Sequence, residues 1–161
     1  MNRKVCACVL RRIVGKWHVL AFTHPLAGAQ LPKGTVLDGE SDAAAVIREL
    51  REESGIADAQ IVATITGLDL GNGGSTIDRS DHVNAFSTPI TMTELPPWIL
   101  FHVETARLQE SWSHNPTGGG EETTLTFEFF WHDLDSSYHE FDTPFQAVIS
   151  QIRGYAKTLC L

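Results

Sequence analysis

The spacing of hydrophobic residues is typical of strands in some parts of the chain and of helices in others, which predicts a mixed α/β fold. Residues 4–14 and 17–23 are rich in apolar and β-branched side chains, which is typical of strands. Gly15 and Lys16 lie between them and predict a two-residue hairpin turn with glycine first. Prolines and glycines punctuate residues 24–38, so that stretch is expected to be a loop.

The next segment predicts a helix over residues 42–54. Ser41 is the expected N-cap, and Gly55 is expected to end the helix in a left-handed conformation. Each residue advances a helix by about 100°. This rotation places four apolar side chains on one side of the helix, and we expect that side to face the core. They are Ala43, Val46, Ile47 and Leu50.

Strand patterns return after this helix, over residues 61–70, 81–87, 98–106 and 123–131. The segments 71–80 and 111–122 are long and polar and predict loops that shape a pocket. A second helix is expected at the C-terminus, where Thr143 would be the N-cap, Pro144 the first helical residue and Gln146 the partner in a capping box. Strands, a helix, more strands and a final helix predict a mixed sheet between helices.

The length, charge and cysteine content of the chain limit the classes of protein to which it can belong. The 161 residues suit one domain spanning residues 1–161. With 12 basic and 20 acidic residues, the chain lacks the positive charge that binding to a nucleic acid backbone requires. No apolar run reaches the roughly 20 residues of a membrane span. Cys6, Cys8 and Cys160 have no metal-ligand spacing, and we expect reduced thiols in a cytoplasmic protein.

The predicted first helix crowds Glu49, Glu52 and Glu53 onto one side. Like charges three or four residues apart destabilise a helix by a few tenths of a kcal/mol. One interpretation is a solvated charged surface. The other is a site for Mg²⁺ or Mn²⁺, whose charge would cancel the repulsion. The acids are segregated from Arg48 and Arg51, but spacing alone leaves both interpretations open.

The segment from Gly34 to Ile56 resembles the signature box of the Nudix hydrolases. That box reads Gly, five residues, Glu, seven residues, then Arg-Glu-aliphatic-any-Glu-Glu-any-Gly-aliphatic. The fixed positions are matched by Gly34, Glu40, Arg48, Glu49, Leu50, Glu52, Glu53, Gly55 and Ile56. The resemblance implies an α/β/α sandwich with a mixed sheet. It also implies a pyrophosphohydrolase that uses Mg²⁺ or Mn²⁺ to cleave a nucleoside diphosphate linked to another moiety.

The resemblance also implies roles for residues of the box. The expected metal ligands are Glu49, Glu52, Glu53 and the carbonyl of Gly34. Glu40 and Arg48 would support the loop and orient the acids, and Gly55 would end the helix beyond its last ligand. The general base would be one of the helix glutamates or a later acid, and the sequence does not choose between them.

Candidates outside the box are less specific. Lys33, in the Pro-Lys-Gly sequence before the box, is expected to contact substrate phosphate. Glu121 or Glu122 resembles an extra acid that family members often place on a loop before a strand. Four aromatic residues have two possible roles, stacking on a nucleobase or packing in the core or at the rim of the site. They are Trp17, Phe22, Trp112 and Trp131.

The sequence leaves the substrate open. Pro-Lys-Gly resembles the dinucleoside and inositol polyphosphate groups of the family, but the tyrosine that dinucleoside-polyphosphate members often carry beyond the box is absent, since no tyrosine precedes Tyr138. The motifs typical of the ADP-ribose, NADH and coenzyme A groups find no match either. We expect a small nucleotide as the ligand, and a homodimer is possible. The alternative function is a non-catalytic Nudix-like module that senses a nucleotide or binds a partner.

Overall fold

The computed structural model describes residues 3–65, 97–107 and 109–159. Its strands are β1 (Lys4–Ile13), β2 (Lys16–His24), β3 (Gly28–Gln30), β4 (Lys33–Thr35), β5 (Gln60–Ile65), β6 (Trp98–Glu104), β7 (Ser111–His114) and β8 (Phe127–Asp133). Its helices are α1 (Asp42–Ser54) and α2 (Thr143–Thr158), with a 3₁₀ turn over Glu121–Thr124. The predicted loop 71–80, the predicted strand 81–87, Cys160 and the end of the strand predicted over 61–70 lie outside the described residues.

The strands form one mixed sheet of eight strands in the order β5-β6-β1-β2-β8-β7, with β3 paired to β2 and β4 to β1. β1 runs parallel to β6, and the other pairs are antiparallel. Residues of α1 and of α2 belong to two different apolar clusters on the sheet. The predicted fold class, a mixed sheet between helices, is confirmed.

Side-chain alternation along β1 separates these two clusters. Cys6 and Cys8 are buried with the apolar side of α2, whereas Val5, Ala7 and Val9 are buried with that of α1. A strand covered on both faces carries an almost continuous apolar run instead of polar alternation. β1 is therefore one of the two central strands of the sheet, and its side chains pack into both layers.

The first hairpin turn and the following loop differ from the prediction. The turn is Val14–Gly15, not Gly15–Lys16, because Ile13 pairs with Lys16. Val14 and Gly15 both have positive φ, 49° and 78°, as in the primed turns whose twist matches paired strands. The expected loop 24–38 contains β3 and β4, which are ordered by pairing with β2 and β1.

The predicted ends of α1 are confirmed. Ser41 Oγ accepts a hydrogen bond from the Ala44 N–H at 3.1 Å. Gly55 has a φ of 80° and its N–H donates to the Arg51 carbonyl at 2.9 Å. The predicted buried side was wrong at one position, because Ala43 is exposed whereas Ala45 is fully buried.

The predicted cap of α2 was wrong by one residue. Asp142 is the N-cap, and its carbonyl accepts from the N–H groups of Phe145 and Gln146. No side chain closes a capping box, because the Gln146 amide donates to the Phe141 carbonyl at 2.8 Å. Pro144, predicted as the first helical residue, is the second, because the helix begins at Thr143.

The segment predicted as loop 111–122 was also partly wrong. It begins with β7, which pairs with β8, and it ends in the 3₁₀ turn. β8 starts at Phe127 and not at residue 123. Nowhere in the described segments is there a helix long and apolar enough to cross a membrane.

Candidate active site

β4 and the acidic side of α1 form one wall of a cleft of about 410 Å³. Glu49, Glu52 and Glu53 all line it, as does Gly34. The 116–119 segment and Glu122 line it as well. The structure therefore brings together the predicted metal ligands and one acid from the distant part of the chain.

The closest approach between β4 and α1 occurs at Gly34. A Cβ atom at this position would overlap the carboxylate of Glu49. A side chain at this position would have to move the Glu49 carboxylate, so glycine lets that carboxylate lie directly against β4. The approach also puts the backbone of β4 beside the acids.

Arg48, expected to orient the acids, lies at the centre of a hydrogen-bond network and donates to Glu52 at 3.2 Å. The guanidinium also donates to Glu49 at 2.8 Å and to both carboxylate oxygens of Glu40, at 2.7 and 2.9 Å. A further N–H donates to the Thr35 carbonyl at 2.9 Å. Arg48 thus ties the loop before α1 to two of the acids on it.

The pair formed by Arg48 and Glu40 stays charged over a wide pH range. The hydrogen bonds from Arg48, and then the one from the Leu37 N–H, lower the pKa of Glu40 to about 2. The same pairing with Glu40 raises the pKa of Arg48 above its usual value. Glu40 is therefore an ionised partner of Arg48 at neutral pH, as its supporting role requires.

Glu53 is in a different electrostatic situation. The Lys33 N–H donates to its Oε2 at 3.1 Å, and no side-chain cation is bonded to it in the described part of the structure. Burial raises the pKa of Glu53 well above its ordinary value, and the charges of Glu49 and Glu122 raise it further. Burial also raises the pKa of Glu49 in spite of Arg48. The cleft therefore contains more negative charge than its cations neutralise.

The chemistry of these side chains fits a hard divalent cation, which prefers carboxylate and carbonyl oxygens. Across the described residues, no three His, Cys, Asp or Glu side chains are already gathered as a metal-binding group. Glu49 and Glu52 turn toward Arg48, and Glu53 accepts from the backbone of Lys33. These hydrogen bonds hold the carboxylates along one cleft, where a cation would bring them together.

The two lysines of the cleft are held differently. The ammonium of Lys33, predicted to contact phosphate, lies 5.0 Å from the ring centre of Trp98 and 5.7 Å from that of Phe145. Lys4, which sequence reasoning missed, donates from Nζ to Thr35 Oγ1 at 2.6 Å. The pairing of β1 with β4 places Lys4 there, and nothing in the local sequence indicates it.

The aromatic candidates mostly have structural roles. Phe22 lines the cleft but is buried, stacked on Phe127 with ring centres 4.3 Å apart. Trp112 stacks on Phe129, and its Nε1 donates to the Ser54 carbonyl at the end of α1, at 2.9 Å. Trp17 and Trp131 are partly buried against the two apolar clusters.

A family profile described as the NUDIX domain matches residues 1–149. The chain belongs to the NUDIX domain family. The enzyme class predicted from the box, a Nudix pyrophosphohydrolase, is confirmed at the level of this family. The metal, the substrate and the roles of individual residues are not fixed by that membership.

Solved structures of this family have the same fold. A C. elegans Ap4A hydrolase complex is 16% identical with a TM-score of 0.56, over 98% of each chain. An ADP-ribose pyrophosphatase from Streptococcus suis is 12% identical with a TM-score of 0.53, over 95% of this chain and 91% of the other. A Nudix family hydrolase from Clostridium perfringens is 15% identical with a TM-score of 0.51, over 97% and 99%. No curated protein sequence gives a significant match.

Proposed function

We propose that this Nudix protein uses Mg²⁺ or Mn²⁺ to hydrolyse the pyrophosphate bond of a nucleoside diphosphate linked to another moiety. The ligands would be Glu49, Glu52, Glu53 and the Gly34 carbonyl. The observation that carries the proposal is that these three carboxylates and Gly34 line one cleft, where burial, and then the charges of Glu49 and Glu122, raise the pKa of Glu53. A folded protein keeps such repulsion only where a ligand offsets it or another need outweighs it.

A bound divalent cation supplies charge neutralisation on the pyrophosphate oxygens and lowers the pKa of a bound water. The protein's own residues position the carboxylates that would bind the cation. Arg48 holds Glu49 and Glu52 by their carboxylates, and the Lys33 N–H holds Glu53. Such supporting hydrogen bonds fix the orientation of ligand side chains and tune their basicity.

Three side chains in the cleft are suited to contacting the substrate. The ammonium groups of Lys33 and Lys4 provide positive charge for the phosphate chain, once Lys33 leaves the aromatic rings that it packs on. Glu122 stands close enough to Glu53 to raise its pKa. We place Glu122 beside the substrate, and either Glu53 or Glu122 takes the proton of the attacking water.

The substrate class follows from the size and charge of the cleft. A volume of about 410 Å³ falls in the usual range for small-molecule sites. Two of the similar structures are an Ap4A hydrolase and an ADP-ribose pyrophosphatase, whose names span the dinucleoside polyphosphates and the ADP-sugars. We propose a substrate within that range. A single domain over residues 1–161, a cytoplasmic location and a possible homodimer stay predictions.

A panel assay tests this proposal. Dinucleoside polyphosphates, ADP-ribose, nucleotide sugars and oxidised nucleoside triphosphates are each incubated with the protein in Mg²⁺ or in EDTA, and products are separated by chromatography. We expect release of mono- or diphosphate products from at least one class in Mg²⁺ only. Binding of a nucleotide without any cleavage would overturn the proposal and favour the non-catalytic sensing module.

A further inference from the structure

Residues 116–120, between β7 and the 3₁₀ turn, pack directly against the acidic side of α1. Pro116 is buried, and the Thr117 N–H donates to the Glu52 carbonyl at 2.9 Å. The backbone of this segment is therefore anchored to the backbone of one of the proposed metal ligands. The residues joined by this hydrogen bond are 65 positions apart in the sequence.

The side chain of Glu52 meets the same segment at Gly118. A Cβ atom at Gly118 would lie 2.6 Å from Glu52 Oε2 and 2.7 Å from Cδ. These distances are shorter than the closest contacts that real Cβ atoms make. Any other residue at this position would therefore displace either the segment or the carboxylate.

The carboxylate of Glu52 is also held by Arg48, whose Nη1 donates to Oε2 at 3.2 Å. A glutamate side chain has several rotatable bonds and loses entropy when it is held in one conformation. With the Arg48 guanidinium hydrogen-bonded to it and the Gly118 backbone beside it, this side chain is restricted before any cation binds. That restriction lowers the ordering cost of binding.

We propose that Gly118 is a positioning residue, whose missing side chain lets residues 116–120 pack against Glu52 and fix its carboxylate for the cation. The inference rests on the proposed function, because it assumes that Glu52 is a ligand. It adds a residue outside the box to the machinery of the site. Gly118 acts only through Glu52.

Gly120 offers a matched control. The φ of Gly118 is 99° and that of Gly120 is 89°, so alanine is strained at both positions. A Cβ atom at Gly120 meets nothing within 4 Å. Gly118→Ala and Gly120→Ala therefore both place a side chain at positive φ, and they differ in the contact with Glu52.

The test measures Mn²⁺ binding without substrate, from the electron paramagnetic resonance signal of free Mn²⁺. We expect Gly118→Ala to weaken binding about tenfold, the usual scale for losing a group that supports a ligand. Gly120→Ala should stay within about twofold of wild type, because no ligand touches it. Equal losses in the two variants would overturn the positioning role.

A double-mutant cycle with Glu52→Asp separates contact from strain. The shorter side chain withdraws its carboxylate by one methylene and relieves the clash, so Gly118→Ala should weaken Mn²⁺ binding much less in this background. Purely additive losses would contradict the proposal. If Gly118→Ala fails to fold, Gly118→Asn replaces it against Gly120→Asn, because asparagine tolerates positive φ better than alanine does.

The wild-type protein distinguishes this inference from the proposed function. A wild type that neither binds Mn²⁺ nor cleaves a nucleotide overturns both. A wild type that binds Mn²⁺, with Gly118 and Gly120 variants that bind it equally, overturns only the role of Gly118.

Discussion

At the scale of single residues, the surroundings of Glu53 affect the stability of the fold. Its pKa is raised by burial and by the charges of Glu49 and Glu122. An acid whose pKa is higher in the folded than in the unfolded chain destabilises the fold while it is ionised. That cost is present at neutral pH and disappears as the pH falls below the unfolded pKa.

We therefore predict that Glu53→Gln stabilises the metal-free protein at pH 7. The amide oxygen still accepts from the Lys33 N–H while the repelled charge is gone, so we expect a gain of about 1 kcal/mol. For a chain of this size that gain raises the Tm by about 2–4 °C. The gain should vanish near pH 4. Thermal unfolding in EDTA measures it, and a lower Tm at pH 7 would count against the assigned electrostatics.

Residues of the box could be predicted from sequence because their identities and spacing are local. Lys4 and Gly118 could not. Lys4 reaches Thr35 across 31 positions, and the segment that carries Gly118 reaches Glu52 across 65. Such contacts depend on how strands and loops approach each other in three dimensions, and no local pattern of residues encodes that approach.

At the scale of elements, α1 presents the acids, and its first turn depends on Ser41. We predict that Ser41→Ala destabilises the protein by about 1 kcal/mol, because the Ala44 N–H loses its acceptor. Ser137, an exposed serine outside the helices and strands, is the control. Chemical unfolding of both alanine variants provides the comparison, and equal free energies of unfolding would show that the cap contributes nothing.

The helices and strands were not equally predictable. The bounds of α1 are encoded locally, by Ser41 at one end and Gly55 at the other, and they were found from sequence. β3 and β4 have three residues each and β7 has four, and they were missed. Strands this short become ordered by pairing with longer neighbours, so the periodicity that identifies a long strand is absent from them.

At the scale of the whole molecule, the repulsion in the cleft links cation binding to folding. A ligand that binds only the folded state stabilises it, by about 2.7 kcal/mol at a concentration one hundred times its Kd. We predict that Mg²⁺ or Mn²⁺ raises the Tm of the wild type and has a much smaller effect on Glu49→Gln. NaCl at equal ionic strength is the control. An equal rise in both proteins would argue against binding at these acids.

The overall architecture was predictable as a class but not as a topology. Strands separated by helices predict a mixed sheet between helical layers, and the structure has that arrangement. The parallel pairing of β1 with β6 joins distant parts of the chain. That pairing depends on how helices pack against both faces of the sheet. The hydrophobic pattern of either strand does not determine which strand it pairs with.

The central claim is that acids of α1 hold the cation for cleavage of a pyrophosphate bond. The most direct measurement compares turnover in saturating Mg²⁺ for the wild type, Glu53→Gln and Glu128→Gln. Glu128 is exposed on β8, and its carboxylate accepts from Ser113 at 2.6 Å, so this variant makes the same chemical change away from the helix acids.

We expect Glu53→Gln to lose on the order of 100-fold or more in kcat, since losing a supporting group alone costs 10–100-fold. Glu128→Gln should keep the wild-type rate, and both variants should stay folded. Wild-type turnover in a folded Glu53→Gln protein would contradict the account.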